Sequence, residues 1–257
     1  MIQVACQTIV FGNTVIKDTI DSIFQVIAQA GYEGVEIGAR HLSFDKPEYY
    51  QEILNKNHLQ MVALHVGGNF LDSESIAEQL AKFASTIQFA RKLGCKFIFL
   101  SGYYKQKKTV DDYIQESKIY NDMGKRCRDE DIKLCYHNHD WEIVNQKAGM
   151  KILLEETSPE NLFLVPDVGW LTVANEDPVE FISENLNRVE VLHFKEFKPI
   201  REYSELGTGM VDFKRIYNYF SGVRKNFWVV AEQDETIIGP QRSAEINLKY
   251  IKGLIAK

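Results

Sequence analysis

Several marks of other protein classes are missing from this chain. There is no basic excess: 30 lysines and arginines face 36 acids, for a formal net charge of −6. A protein whose main partner is nucleic acid needs positive surface to offset phosphate charge, so that class is disfavoured. The most basic run, Lys105-Gln106-Lys107-Lys108, is short and reads as a solvated loop. No apolar stretch reaches the roughly 20 residues that span a bilayer. The opening "MIQVACQTIVF" lacks the basic start of a secretion signal and alternates like a strand. The four cysteines, Cys6, Cys95, Cys127 and Cys135, show no C-x-x-C spacing. Three of them lie in apolar runs, where a buried, reduced thiol is the usual state, and a cytoplasmic location is expected. Low-complexity sequence and Pro/Gly/Ser linkers are also missing, and the six prolines are scattered.

What is present is an ordinary globular balance, 45% hydrophobic and 26% charged over 257 residues, enough for one large core. Short apolar runs alternate with longer amphipathic stretches. The runs are IQVACQ (2–7), GVEIG (34–38), LQMVALHV (59–66), CKFIFLSG (95–102), IKLCYHNH (132–139), LFLVPDVG (162–169), VEVLHFKE (189–196) and FWVVAEQD (227–234). Their length and their Val, Ile, Leu and aromatic content are those of strands buried on both faces. The stretches between them are helix-like. One carries Ile20, Ile23, Phe24 and Ile27 on one face and stops at Gly31; another carries Leu80, Phe83, Ile87 and Ala90 and stops at Gly94. Residues 110–131 and 242–257 repeat the design.

Strands separated by helical crossovers imply a parallel sheet. An open doubly wound sheet would want a Gly-rich phosphate turn after its first strand, and "CQTIVFGNT" has none. The expected fold is therefore an α/β (β/α)8 barrel, one domain over residues 1–257, with short crossovers after the second, fifth and sixth strands.

In such a barrel the catalytic groups belong at the C-terminal ends of the strands. Those ends carry Gln7, Glu36, His65, His137 with His139, Asp167, His193 with Lys195, and Glu232 with Asp234. Each has a bland alternative: His65 as a hydrogen-bonded structural residue, Glu36 as a partner for a neighbouring strand or arginine, Asp167 as a helix cap. Jointly the bland readings fail, because several unpaired carboxylates inside an apolar barrel would each cost several kcal/mol. A divalent cation resolves this, and mixed oxygen and nitrogen donors suit Mn²⁺, Zn²⁺, Co²⁺ or Mg²⁺.

At nearly full length the chain resembles the sugar phosphate isomerase/epimerase superfamily, the xylose isomerase-like TIM barrels that also include inosose dehydratase. The resemblance rests on five ordered motifs: YHNHDWEI (136–143), PDVGW (166–170), VLHFKE (191–196), LGTGMVDF (206–213) and VVAEQD (229–234). It implies a divalent metal held by Asp167, His193, Glu232 and an acid after the fifth strand. Many relatives carry Glu-Asn-His where this chain reads His137-Asn138-His139. The fourth ligand is therefore either His137 or Glu142. Glu142 is preferred, because three carboxylates and one imidazole keep the usual ligand chemistry and leave His137 for substrate.

The activity implied is metal-dependent isomerisation or epimerisation of a keto-sugar or polyol, by removal of a proton next to a carbonyl. The proton-transfer candidates are His139 and Glu232, followed by Lys195 and His137. Gln7, Glu36 and His65 are candidate contacts to substrate hydroxyls, with Trp170 and Trp141 as apolar walls. Gly207 and Gly209 would let their loop bend close to the mouth. The alternative activity is dehydration of a keto-inositol or β-elimination on a 3-keto sugar. A DNA-repair endonuclease on the same barrel would need more metal ligands and a basic rim; a non-catalytic barrel would not need the ligand set. No Arg/Lys cluster at the strand ends calls for a phosphate, so a non-phosphorylated substrate is expected. The Tyr and Phe content permits a homo-oligomer.

Overall fold

A computed structural model describes residues 1–12 and 19–256. Asp18 and Lys257, the outer ends of two of the expected helical stretches, lie outside the described residues. The strands are β1 (Ile2–Gln7), β2 (Gly34–Gly38), β3 (Gln60–Gly67), β4 (Phe97–Ser101), β5 (Lys133–His137), β6 (Leu162–Val165), β7 (Val191–Phe194), β8 (Glu196–Lys198), β9 (Glu202–Ser204) and β10 (Phe227–Ala231). Eight of them form one parallel sheet in the order β6-β5-β4-β3-β2-β1-β10-β7. Two parallel bridges, Leu164 to Val189 and Asp167 to His193, join its edges and nearly close the barrel. The remaining pair, β8 and β9, is an antiparallel hairpin at the mouth.

Period-two alternation sorts the side chains. Ala5, Ala63, Phe99, Cys135, Val165, Val191 and Val230 pack against one another in a small cluster. Alternate residues such as Val4, Cys6, Leu64, Ile98, Leu134, Leu192 and Val229 join the larger core shared with the helices. All four cysteines are free and buried.

The helices cover the outside: α1 (Ile20–Ala30), α2 (Pro47–Lys56), α3 (Ile76–Lys92), α4 (Val110–Arg128), α5 (Val144–Glu155, with left-handed backbone at residues 145–147), α6 (Val168–Val173), α7 (Pro178–Glu184), α8 (Phe213–Val223) and α9 (Pro240–Ile255). Sequence sets their ends. In α1 the buried Ile20, Ile23, Phe24 and Ile27 form the inner stripe, and Gly31 ends the helix at φ 98°, a conformation that favours glycine. Thr109 and Asp112 form a reciprocal capping box at the start of α4. The crossovers after β2, β5 and β6 contain α2, α5 and the short pair α6 and α7. No described helix is long and apolar enough to cross a membrane.

Candidate metal centre

Two residues beyond the inner apolar ring, the same eight strands or their extensions carry a polar ring. Ala5 leads to Gln7, Gly34 to Glu36, Ala63 to His65 and Phe99 to Ser101. Cys135 leads to His137, Val165 to Asp167, Val191 to His193 and Val230 to Glu232. A two-residue step keeps the face of the strand and rises about 6.6 Å, so one ring sits directly above the other.

His137, Asp167, His193 and Glu232 are all buried, and one donor atom from each lies within 4.8 Å of every other. His137 Nε2 is 3.1 Å from Glu232 Oε2 and 3.4 Å from Asp167 Oδ2. His193 Nδ1 is 2.6 Å from the same Glu232 oxygen. Asp167 has two separate uses. Its Oδ1 accepts from the Trp170 N–H at 3.0 Å and caps α6, while the buried Oδ2 accepts no hydrogen bond. His137 Nδ1 is likewise buried without a hydrogen-bond partner. Two imidazoles and two carboxylates converging on one point, with an orphaned carboxylate oxygen among them, fit a divalent metal ion.

Three of the four expected ligands are in this group, and Glu142 is not. Its Oε1 accepts from the Tyr136 hydroxyl and its Oε2 from the His139 N–H, both at 2.8 Å. The tight turn after β5 directs Glu142 back under its own loop, while His137, still on the strand, faces the barrel axis. Gly102 matters here: a Cβ at that position would run into the Tyr136 hydroxyl. Burial pushes the Glu142 carboxyl up to about 7 despite those two donors.

The electrostatics of the cluster oppose burial with close charge pairing. Burial lowers the proton affinity of both imidazoles, but Glu232 and Asp167 more than reverse this for His137, raised to about 10. Glu36 and Glu232 do the same for His193, raised to about 8. A cation entering the site therefore competes with protons. Glu232 is held well below the usual carboxylate range, because Lys195 and His137 outweigh its burial.

Lys195 lies over this cluster, its Nζ 3.1 Å from Glu232, 2.8 Å from Asp234 and 3.6 Å from Asp167. Those carboxylates overcome burial and keep it cationic, well above the ordinary lysine value. Its ammonium is also 5.1 Å from the centre of the Trp170 ring. His139 stacks on Trp141, with centroids 4.0 Å apart, and lies 5.7 Å from Trp170. Burial and the neighbouring His137 and Lys195 push its imidazole well below the usual value, so it is neutral. A cationic amine and a neutral imidazole thus both lie near the Trp170 ring.

The other expected substrate contacts are engaged within the protein. Gln7 Oε1 accepts from the Ile9 N–H at 2.6 Å and caps a short 3-10 turn. Glu36 Oε1 is 2.6 Å from His65 Nδ1, and its Oε2 is 2.7 Å from His193 Nε2. His65 Nε2 contacts Ser101 Oγ at 2.7 Å. Glu196 accepts from the N–H groups of Phe197, Gly207 and Val211. Gly209 is needed there because a Cβ would strike the Phe197 carbonyl and the Glu196 carboxylate. The glycine loop thus folds onto Glu196. Sequence reasoning missed Ser101, whose position two residues after Phe99 was the available signal. It also missed Asn138, whose side chain accepts from the Asp167 N–H at 3.0 Å and donates to the Asp167 carbonyl at 3.3 Å. That pair of bonds extends the β5–β6 pairing to the ligand itself.

Barrel, polar ring and convergent donors together define a metal-dependent enzyme of the isomerase/epimerase or lyase type. Residues 24–253 match the family model of the xylose isomerase-like TIM barrel, and the chain belongs to that family. The inosose dehydratase of Geobacillus kaustophilus is 25% identical, over 92% of this chain and 88% of that protein. Among solved structures, an L-ribulose 3-epimerase superposes with a TM-score of 0.82 at 14% identity, covering 100% of this chain and 95% of that one. A sugar phosphate isomerase/epimerase from Parabacteroides distasonis gives 0.79 at 19% identity, covering 97% and 93%.

Proposed function

We propose that the protein is a divalent-metal-dependent dehydratase that removes water from a non-phosphorylated keto-polyol or keto-sugar. The observation that carries this reading is the pair near the Trp170 ring, Lys195 held protonated and His139 held neutral. Environments that drive two titratable groups apart assign them as acid and base. Elimination needs both at once, whereas moving a proton between carbons does not need an acid reserved for a leaving hydroxyl. The curated inosose dehydratases similar to this chain, at 24–25% identity, support the same choice.

The ligands are His137, Asp167, His193 and Glu232; two imidazoles among four donors favour a transition ion such as Zn²⁺, Co²⁺ or Mn²⁺. Bound there, the ion supplies Lewis acidity to the substrate carbonyl. His139 takes the proton from the carbon next to that carbonyl, and the C–H electron pair becomes the new C=C bond. The hydroxyl on the following carbon departs with its bonding pair, accepts the Lys195 proton and leaves as water. His139 and Lys195 then exchange protons with solvent. Trp170, near both groups, and Trp141, stacked on His139, form the wall that excludes water from the ring face.

The test is incubation of Co²⁺- or Mn²⁺-loaded protein with an inosose, followed by mass spectrometry and ultraviolet absorption. Loss of one water with appearance of an enone band supports dehydration. A product of unchanged mass and altered configuration would replace it with the isomerase/epimerase reading.

A further inference from the structure

The polar ring contains a third buried carboxylate that the ligand set does not use. Glu36 is 0% exposed, and a register shift between Val35 and Glu36 sets its place on β2 relative to β3. It sits behind His193: Nδ1 of that imidazole faces Glu232 on the ligand side, and Nε2 lies 2.7 Å from Glu36 Oε2, an ion-pair distance out of line for a hydrogen bond. The other Glu36 oxygen is met by His65 at 2.6 Å, and the far nitrogen of His65 by Ser101 at 2.7 Å. A continuous line of polar contacts thus runs from Ser101 on β4, through β3 and β2, to a ligand on β7.

Electrostatics gives the line a purpose. Two carboxylates and two neutral imidazoles balance a divalent ion, leaving a neutral centre. An ionised Glu36 at ion-pair distance from the back of one imidazole makes that ring a stronger donor through its charge. On the reading of this cluster as a metal centre, we propose that Glu36 is a positioning residue for the metal. It orients His193 and raises its basicity, and His65 and Ser101 hold Glu36 in place. Glu36 and His65 accordingly act on the ion through His193 and do not contact substrate hydroxyls.

The experiment is a Co²⁺ titration of the metal-stripped protein in competition with a chromophoric chelator, with the visible d–d spectrum recorded. Glu36→Gln should bind Co²⁺ about 10- to 100-fold more weakly, with a shifted spectrum, because the ring loses its anionic partner. His65→Gln leaves the Glu36–His193 contact standing and should lose less, about 3- to 10-fold. This milder variant decides the matter should Glu36→Gln not fold. Folded Glu36→Gln with the affinity and spectrum of the unsubstituted protein would overturn the proposal; if that variant does not fold, unchanged affinity and spectrum in His65→Gln would do so. Failure of the unsubstituted protein to bind Co²⁺ would instead remove the metal centre, and this role of Glu36 with it.

Discussion

Two rings of side chains, one residue pair apart on the same strands, behave as opposites. The lower ring, Ala5, Ala63, Phe99, Cys135, Val165, Val191 and Val230, is apolar and 0% exposed. Five members of the upper ring, Glu36, His137, Asp167, His193 and Glu232, are nearly as deeply buried and carry charge. The lower ring stabilises the barrel by ordinary close packing. The upper ring is tolerable only through mutual pairing, and it leaves buried polar atoms without hydrogen bonds at Glu36, His137, Asp167 and His193. One ring is built for stability; the other gives up stability for a cation.

Mutations should separate the rings by what they change. Phe99→Ala in the lower ring removes a fully buried aromatic side chain and should cost about 3–5 kcal/mol. Urea unfolding would measure this, and the folded fraction should still bind one Co²⁺ per chain. A normal unfolding midpoint would mean that the lower ring is not the packed support described.

A smaller effect is expected at Glu142, beside the upper ring but outside it. Its carboxyl is raised from an ordinary 4.5 to about 7, so between those values the native state binds its proton more tightly than the unfolded chain does. The stability contributed by this group is complete below about pH 4.5 and is lost as pH rises through about 7. Glu142→Gln removes the dependence. From pH 5 to pH 8 it should gain about 2–3 kcal/mol relative to the unsubstituted protein in urea unfolding. Parallel stability curves for the two proteins would contradict the raised value.

The sequence exposed much of this contrast. The buried strands were legible because parallel strands covered on both faces read as unbroken apolar runs. The upper ring was legible because each run ends in a polar residue at the position period two assigns to the barrel axis. Ser101 follows the same rule, but a lone serine at the end of FIFLS carries no chemical signal of its own. The placement of Glu142 was not legible. It depends on how tightly residues 138–143 turn, and that turn is held by contacts to Tyr136 and His139 that no spacing reveals. The β8–β9 hairpin escaped for a different reason: its three-residue strands, EFK and EYS, are too short for alternation to show.

In the proposed ligand set the upper ring holds one divalent ion through His137 and not through Glu142. Direct titration of metal-stripped protein with Co²⁺, comparing His137→Ala with Glu142→Gln, tests it. The unsubstituted protein and Glu142→Gln should each bind one equivalent, with binding by His137→Ala weakened at least 100-fold. Tight binding retained in His137→Ala and lost in Glu142→Gln would contradict it.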